Sequence, residues 1–237
     1  MPETQPGAAA PTDRTRIRRL PELGAYDRPA VDAILDAGIV AHLGFVRDEQ
    51  PFVIPTLHAR IGDLLYVHGS AASRTLRTVA EEVPVCVTVT LLDGIVLARS
   101  IFEHSIDYRS VVVLGAARLV DDPEEKLAAL HAFSEQVLPG RWDDCRPPSE
   151  QELKATSVLA LPLTEASAKV SAGPPEDGDG PDGALAVWAG NIPLVVTALE
   201  PVADPALRDG IPVPPYAARY ERPGLTAPPT QGRGVTP

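Results

Sequence analysis

Residues 64–77, LLYVHGSAASRTLR, hold the densest chemistry in the chain. An apolar run reads as a strand ending at His68, Gly69 permits a tight turn, and Ser70, Ser73 and Arg74 fall at the start of a helix. That pattern suits a phosphate. Helix-start amides point at the anion, the helix dipole favours it, hydroxyls add donors and an arginine adds a charged fork. Arg77 extends the basic side. Two further stretches could meet a ligand. In 51–60 (PFVIPTLHAR) Pro55 interrupts an apolar strand; a proline there removes a ladder donor and marks irregular backbone. In 103–110 (EHSIDYRS) His104, Tyr108 and Arg109 are polar residues between two apolar strands. Each stretch has a plainer reading: a capping serine with surface arginines, an edge-strand proline, an ordinary loop.

These groups need a frame. Asp27 can cap a helix whose apolar positions Val31, Ile34 and Leu35 share a face, and Gly38 can end it. Strands are expected over 39–46, 51–60 and 64–68, with turns at 47–50 and 62–63. Residues 83–90 alternate Val83, Val85, Val87 and Val89 with smaller or polar residues, the period of a half-buried strand. Asp93–Gly94 reads as a hairpin into a strand over 95–102, and 110–120 as another strand. Asp122, Pro123 and Glu125 form a helix start with a capping box, followed by the stripe Leu127, Leu130, Phe133 and Val137. A second capping box, Ser149 to Glu152, starts a shorter helix. Strands over 157–170 and 192–199 complete the set. At least six strands joined mostly by tight hairpins, without βαβ alternation, predict an antiparallel barrel in a mainly β (α+β) protein.

The chain has 237 residues, a net charge of −11 and few aromatics, so the core must be built from Val, Leu, Ile and Ala. The negative charge argues against nucleic acid and anionic membrane surfaces as partners. No apolar run reaches the ~18 residues of a membrane span, and the Pro/Ala-rich start lacks a signal-peptide core. Cys86 and Cys145 have no metal-ligand or CxxC spacing, and no three histidines make a metal set. A cytoplasmic protein is expected. Residues 1–20 read as a flexible arm, 21–220 as one domain with a flexible acidic loop at 171–183, and 221–237 as a disordered tail. His42 and His58 read as structural, His131 as solvent-facing, and Trp188 as a core aromatic or a cover for the ligand.

The succession YDRPAVDAILDAG, GFVRDEQPFVIPTLHARIGDLLYVHGSAASRTLR, PVCVTVTLLDGIVLARS and YRSVVVLGAARLV resembles the FMN-binding split-barrel superfamily. Within it the chain is similar to pyridoxamine 5′-phosphate oxidase-related flavoproteins, close to the nitroimidazole-resistance reductases. The similarity runs from about residue 20 to 220 and takes in RWDDCRPPSEQELKAT and VWAGNIPL. It implies a six-stranded antiparallel Greek-key split barrel with flanking helices, and a homodimer with FMN sites at the interface. It implies that Val53, Ile54, Pro55 and Thr56 lie along the isoalloxazine ring and that Ser73 and Arg74 form the phosphate-binding helix start, beside the Ser70 already read there. Arg109 and Ser110 would approach the flavin from the partner subunit. His68 matches a histidine at the cofactor that can carry a pyruvate adduct, and it is the candidate catalytic residue.

The implied activity is FMN-dependent oxidoreduction of a small organic molecule, such as a nitro compound, a quinone or a pyridoxine-like compound, with NAD(P)H as candidate electron donor. A flavin- or haem-binding protein without turnover, or a reductase using F420, is the alternative. The oxidases themselves grip a substrate phosphate with an arginine-rich C-terminal segment. Here residues 209–220 offer only Arg219, which argues against pyridoxamine phosphate itself as substrate.

Overall fold

A computed structural model describes residues 11–80, 82–221 and 224. In chain order the elements are β1 (Gly24–Ala25), α1 (Arg28–Ala37), β2 (Val40–Arg47), β3 (Gln50–Ile61), β4 (Leu64–Ser70), α2 (Arg74–Val79), β5 (Pro84–Leu97), β6 (Ser105–Ala116), β7 (Arg118–Leu119), α3 (Pro123–Val137), α4 (Glu150–Ala155), β8 (Thr156–Pro162), β9 (Ala166–Ser171), β10 (Gly190–Pro193) and α5 (Pro215–Ala218). The ten strands form one antiparallel sheet in the order β1-β9-β6-β5-β2-β3-β4-β8-β7, with β10 on β5. The mainly β, antiparallel expectation holds, and the ten strands meet the reading of at least six. No helix among the described residues is long and apolar enough to cross a membrane.

The core follows the alternation seen in the sequence. Val85, Val87 and Val89 of β5 face inward with Val111 and Val113 of β6 and Leu43 of β2. Each such side chain contributes about 1.5–3 kcal/mol through burial. Helix α1 closes this core with Val31, Ile34 and Leu35, its first turn capped by Asp27, which accepts from the Ala30 amide at 2.9 Å. Gly38 is required where α1 meets β5, because a Cβ there would lie 2.4 Å from Val89 Cγ1. A second apolar cluster fills the other side of β4 and β8, where Tyr66, Val158 and Ala160 pack against Ala129 and Phe133 of α3.

Several boundaries differ from the sequence reading. Residues 93–94 make no hairpin. β5 runs through them with a register shift between Leu92 and Gly94, and the turn into β6 is a 3-10 helix at Ile101–Glu103. The polar stretch before Ser110 is therefore not a loop but the start of β6. Residues 157–170 divide into β8 and β9, and of the expected strand over 192–199 only Ile192 and Pro193 are paired, at the end of β10. In α3 the apolar stripe is reduced to Ala129 and Phe133, with Leu127 and Val137 exposed. Glu125 turns to Tyr66 Oη (2.9 Å) and Arg118 rather than completing a capping box. The Ser149–Glu152 capping box is present.

The expected flexible acidic loop carries two 3-10 helices, and Asp177 is buried within it. Its carboxylate accepts from the Ser100 amide at 2.9 Å, the Arg99 amide and the Arg99 guanidinium at 3.1 Å. In the expected arm, Thr12 Oγ1 donates to Glu165 at 2.9 Å and Thr15 is buried. Residues 1–10 and most of the expected tail lie outside the described residues.

Candidate functional site

The chain opens a slot where β3 and β4 part. β3 pairs with β2 from Gln50 to Leu57. It pairs with β4 only from His58↔Val67 to Ile61↔Leu64. Continuing that register would set Leu57 against His68 and Pro55 against Ser70, but no described strand pairs with that edge of β3 before His58. The backbone from 50 to 57 thus offers unspent donors and acceptors, which an extended strand must satisfy elsewhere. Phe52, Val53, Ile54 and Pro55 are all exposed, and Thr56 is half-buried. Pro55 is tolerated because it sits at this open edge.

Above the slot, β4 turns into α2. Gly69 lets the helix close on the strand, since a Cβ there would lie 3.1 Å from Leu76 Cδ1. The turn consumes three amides: Ala71 donates to the Ala155 carbonyl, Ala72 to Ser70 Oγ, and Ser73 to the Ser70 carbonyl. Ser70 therefore closes the turn with its own hydroxyl. Ser73 stands at the helix start and makes no side-chain capping bond, while the first-turn amides of α2 have no acceptor within the helix. The side chains of Arg74 and Arg77 lie outside the described residues.

Arg109 is engaged within its own chain. Its Nε and Nη2 fork onto Asp93 at 2.9 and 2.7 Å, and Nη2 also donates to the Gly224 carbonyl at 2.7 Å. The side chains are 14% and 6% exposed. The pair pins the irregular point of β5, where Asp93 leaves the ladder, to the neighbouring strand. Ser110 lies between Thr90 and Lys169 in the ladders. His104 contacts the Ala98 carbonyl through Nε2 at 3.1 Å, and buried His58 contacts the Leu35 carbonyl through Nε2 at 2.9 Å. His42 is exposed, and so is Trp188, against which Gly190 packs.

His68 faces elsewhere than the slot. Along β4, Leu65 and Val67 point into the main core, so Tyr66 and His68 point to the opposite side, under α3. The His68 ring centroid lies 4.2 Å from that of Phe133. It borders a cavity of ≈ 510 Å³ walled by Leu130, Phe133, Trp142 and Pro148, with Arg146 and Glu152 also lining it. His68 Nδ1 is buried and has no hydrogen-bond partner among the described residues. Burial holds the imidazole below its ordinary pKa, so the ring is neutral at pH 7. A buried, unpartnered nitrogen costs ~1–3 kcal/mol. A neutral imidazole bordering a cavity of mixed apolar and polar lining can serve a metal centre or accept a substrate proton. Arg146 and Ser149 hold the Glu152 carboxyl far below the usual carboxylate range.

Segment 141–148 enters the sequence reading only through its family resemblance, and nothing in its composition marks it as a cavity wall. It becomes one because α3 brings Trp142 beside His131, ring centroids 5.3 Å apart.

The family model described as pyridoxamine 5′-phosphate oxidase matches residues 27–170. The flavocytochrome Anf3 from Azotobacter vinelandii is 42% identical, with a TM-score of 0.83 over 90% of this chain and 97% of its own. A protein from Mycobacterium smegmatis named for binding FAD and haem is 38% identical, with a TM-score of 0.78 over 82% of this chain and 95% of its own. A candidate 5-nitroimidazole antibiotic resistance protein from Bacteroides thetaiotaomicron shares the fold at 22% identity, with a TM-score of 0.53 over 62% of this chain and 86% of its own. No curated protein sequence matches.

Proposed function

The chain belongs to the pyridoxamine 5′-phosphate oxidase family, and on that premise we propose that it is an oxidoreductase holding a flavin in the β3 slot and a haem beside His68. The observation that carries this reading is the neutral His68 ring, one nitrogen unpartnered, beside a cavity walled by Leu130, Phe133, Trp142 and Pro148 with Arg146 and Glu152 on its lining. At ≈ 510 Å³ the cavity falls within the range of small-molecule sites. The likeness to a flavocytochrome over 90% of the chain supports the same reading.

A flavin exchanges a hydride or single electrons, and a haem iron single electrons. The residues would bind, orient and exclude water. The open backbone of 53–56 would orient the flavin ring, and Ser73, Arg74 and the α2 amides would hold its phosphate. His68 would give the iron an imidazole, while Leu130, Phe133 and Trp142 keep water from it. The sequence resemblance implies FMN; the name of the mycobacterial relative weighs toward FAD. We place NAD(P)H as donor and a small organic molecule as substrate, in a homodimer whose second copy covers the slot. Cys86 and Cys145, both free, fit a reducing cytoplasm.

The test is the visible spectrum of the purified protein, with the flavin identified after acid release. Flavin and haem bands are expected together, and NAD(P)H should bleach the first and reduce the second. His68→Ala should keep the flavin and lose the haem band. A variant that retains an unaltered haem band removes His68 from the site, and an F420 spectrum replaces the flavin assignment.

A further inference from the structure

Among the described residues lining the His68 cavity, Arg146 is the one formally cationic group, and its guanidinium is committed to a replaceable partner. Nη1 and Nη2 hold Glu152 at 2.8 and 2.5 Å, and Nη1 also donates to the Pro147 carbonyl at 3.1 Å. The Arg146 side chain is 70% exposed, and an ion pair in that setting adds little to stability. Glu152 does not depend on it. Its Oε2 also accepts from the Ser149 amide at 2.8 Å and the Ser149 hydroxyl at 3.0 Å. Release of Arg146 would therefore leave the capping box of α4 intact.

A carboxylate at the cavity mouth would gain a forked, charge-assisted contact at little cost to the protein. In a chain of net charge −11, an anionic ligand needs such a local cation to be held at all. Resting on the haem reading above, we propose that Arg146 is the carboxylate receptor of this cavity, passing from Glu152 to a carboxylate of the bound porphyrin.

The test titrates the haem-free, full-length protein with haem and with haem dimethyl ester, following the Soret band. Arg146→Gln should weaken haem binding about tenfold and leave the ester unchanged. Glu152→Gln, which removes the competitor, should bind haem as tightly as the wild type or more tightly. Equal losses for haem and ester in Arg146→Gln overturn the proposal. So does a Glu152→Gln variant weakened like Arg146→Gln, which would mean the pair only braces the 145–152 segment. A wild type that takes up neither compound overturns the proposal together with the haem reading, whereas uptake of both with no effect of Arg146 overturns the proposal alone.

Discussion

Arg109 spends its fork inside the chain, and that changes what its removal does. Asp93 is 6% exposed and lies where β5 slips register. Arg109→Ala would leave its carboxylate buried and unpaired, a loss of roughly 3–5 kcal/mol in comparable pairs. Urea unfolding of the flavin-free protein should show a loss of that order, and Arg109→Ala with Asp93→Asn should recover part of it. Unchanged stability in the single variant would return Arg109 to the cofactor role implied by sequence. Residue type leaves Arg109 open between a ligand contact and an ordinary loop residue, and only the family resemblance implies a flavin role, because nothing local tells a free arginine from one paired sixteen residues away. His68 was legible as a chemical residue for its position at a strand end. Its direction was not: strand parity places it with Tyr66, and only the packing of α3 fixes what that face meets.

At the scale of elements, the helices and the inner strands could be read from caps and alternation, and α1 starts at its expected cap. What escaped was any feature made by distant groups. The segment 171–183 looks unfoldable by composition, yet it is docked at two points: the Gly173 carbonyl accepts from Asn191 Nδ2 at 2.8 Å, and Asp177 holds its middle. Asp177 accepts two backbone amides and a guanidinium. Desolvation by itself would raise its pKa, but the Ser100 and Arg99 amides and the Arg99 guanidinium outweigh it and hold the carboxyl below its ordinary value. A depressed folded-state pKa means that this anchor contributes above the ordinary aspartate range and is lost as pH falls through and below it. Limited proteolysis within 172–184 should accelerate in Asp177→Asn at neutral pH, and in the wild type only on acidification with an acid-active protease. Equal cleavage rates for both proteins at pH 7 would show that the segment is held by something else.

At the scale of the molecule, a chain of net charge −11 leaves large apolar side chains in water. Ile101 and Phe102, in the turn between β5 and β6, are 86% and 89% exposed. Beside them, Ile95 pairs with Ile106 on β6 and with Ile192 on β10, and all three are exposed. Directly opposed residues on neighbouring strands lie on one face of the sheet, so the isoleucines form a row across three strands. An apolar row of this kind ordinarily marks an interaction surface, and in a symmetric pair the same patch meets itself. The homodimer proposed above would bury this face, and each slot along β3 would be covered from outside its own chain. Scattering mass in solution should be twice 25.1 kDa. Ile106→Glu, which would put an unpaired carboxylate into the contact at a cost of several kcal/mol, should halve that mass. The circular dichroism spectrum should be unchanged, because the Ile106 side chain is exposed in the single chain, and flavin should be lost along with the partner's cover. A wild type that runs at 25.1 kDa with flavin bound would remove the dimer from the site. A variant that stays dimeric would move the interface away from the isoleucine row.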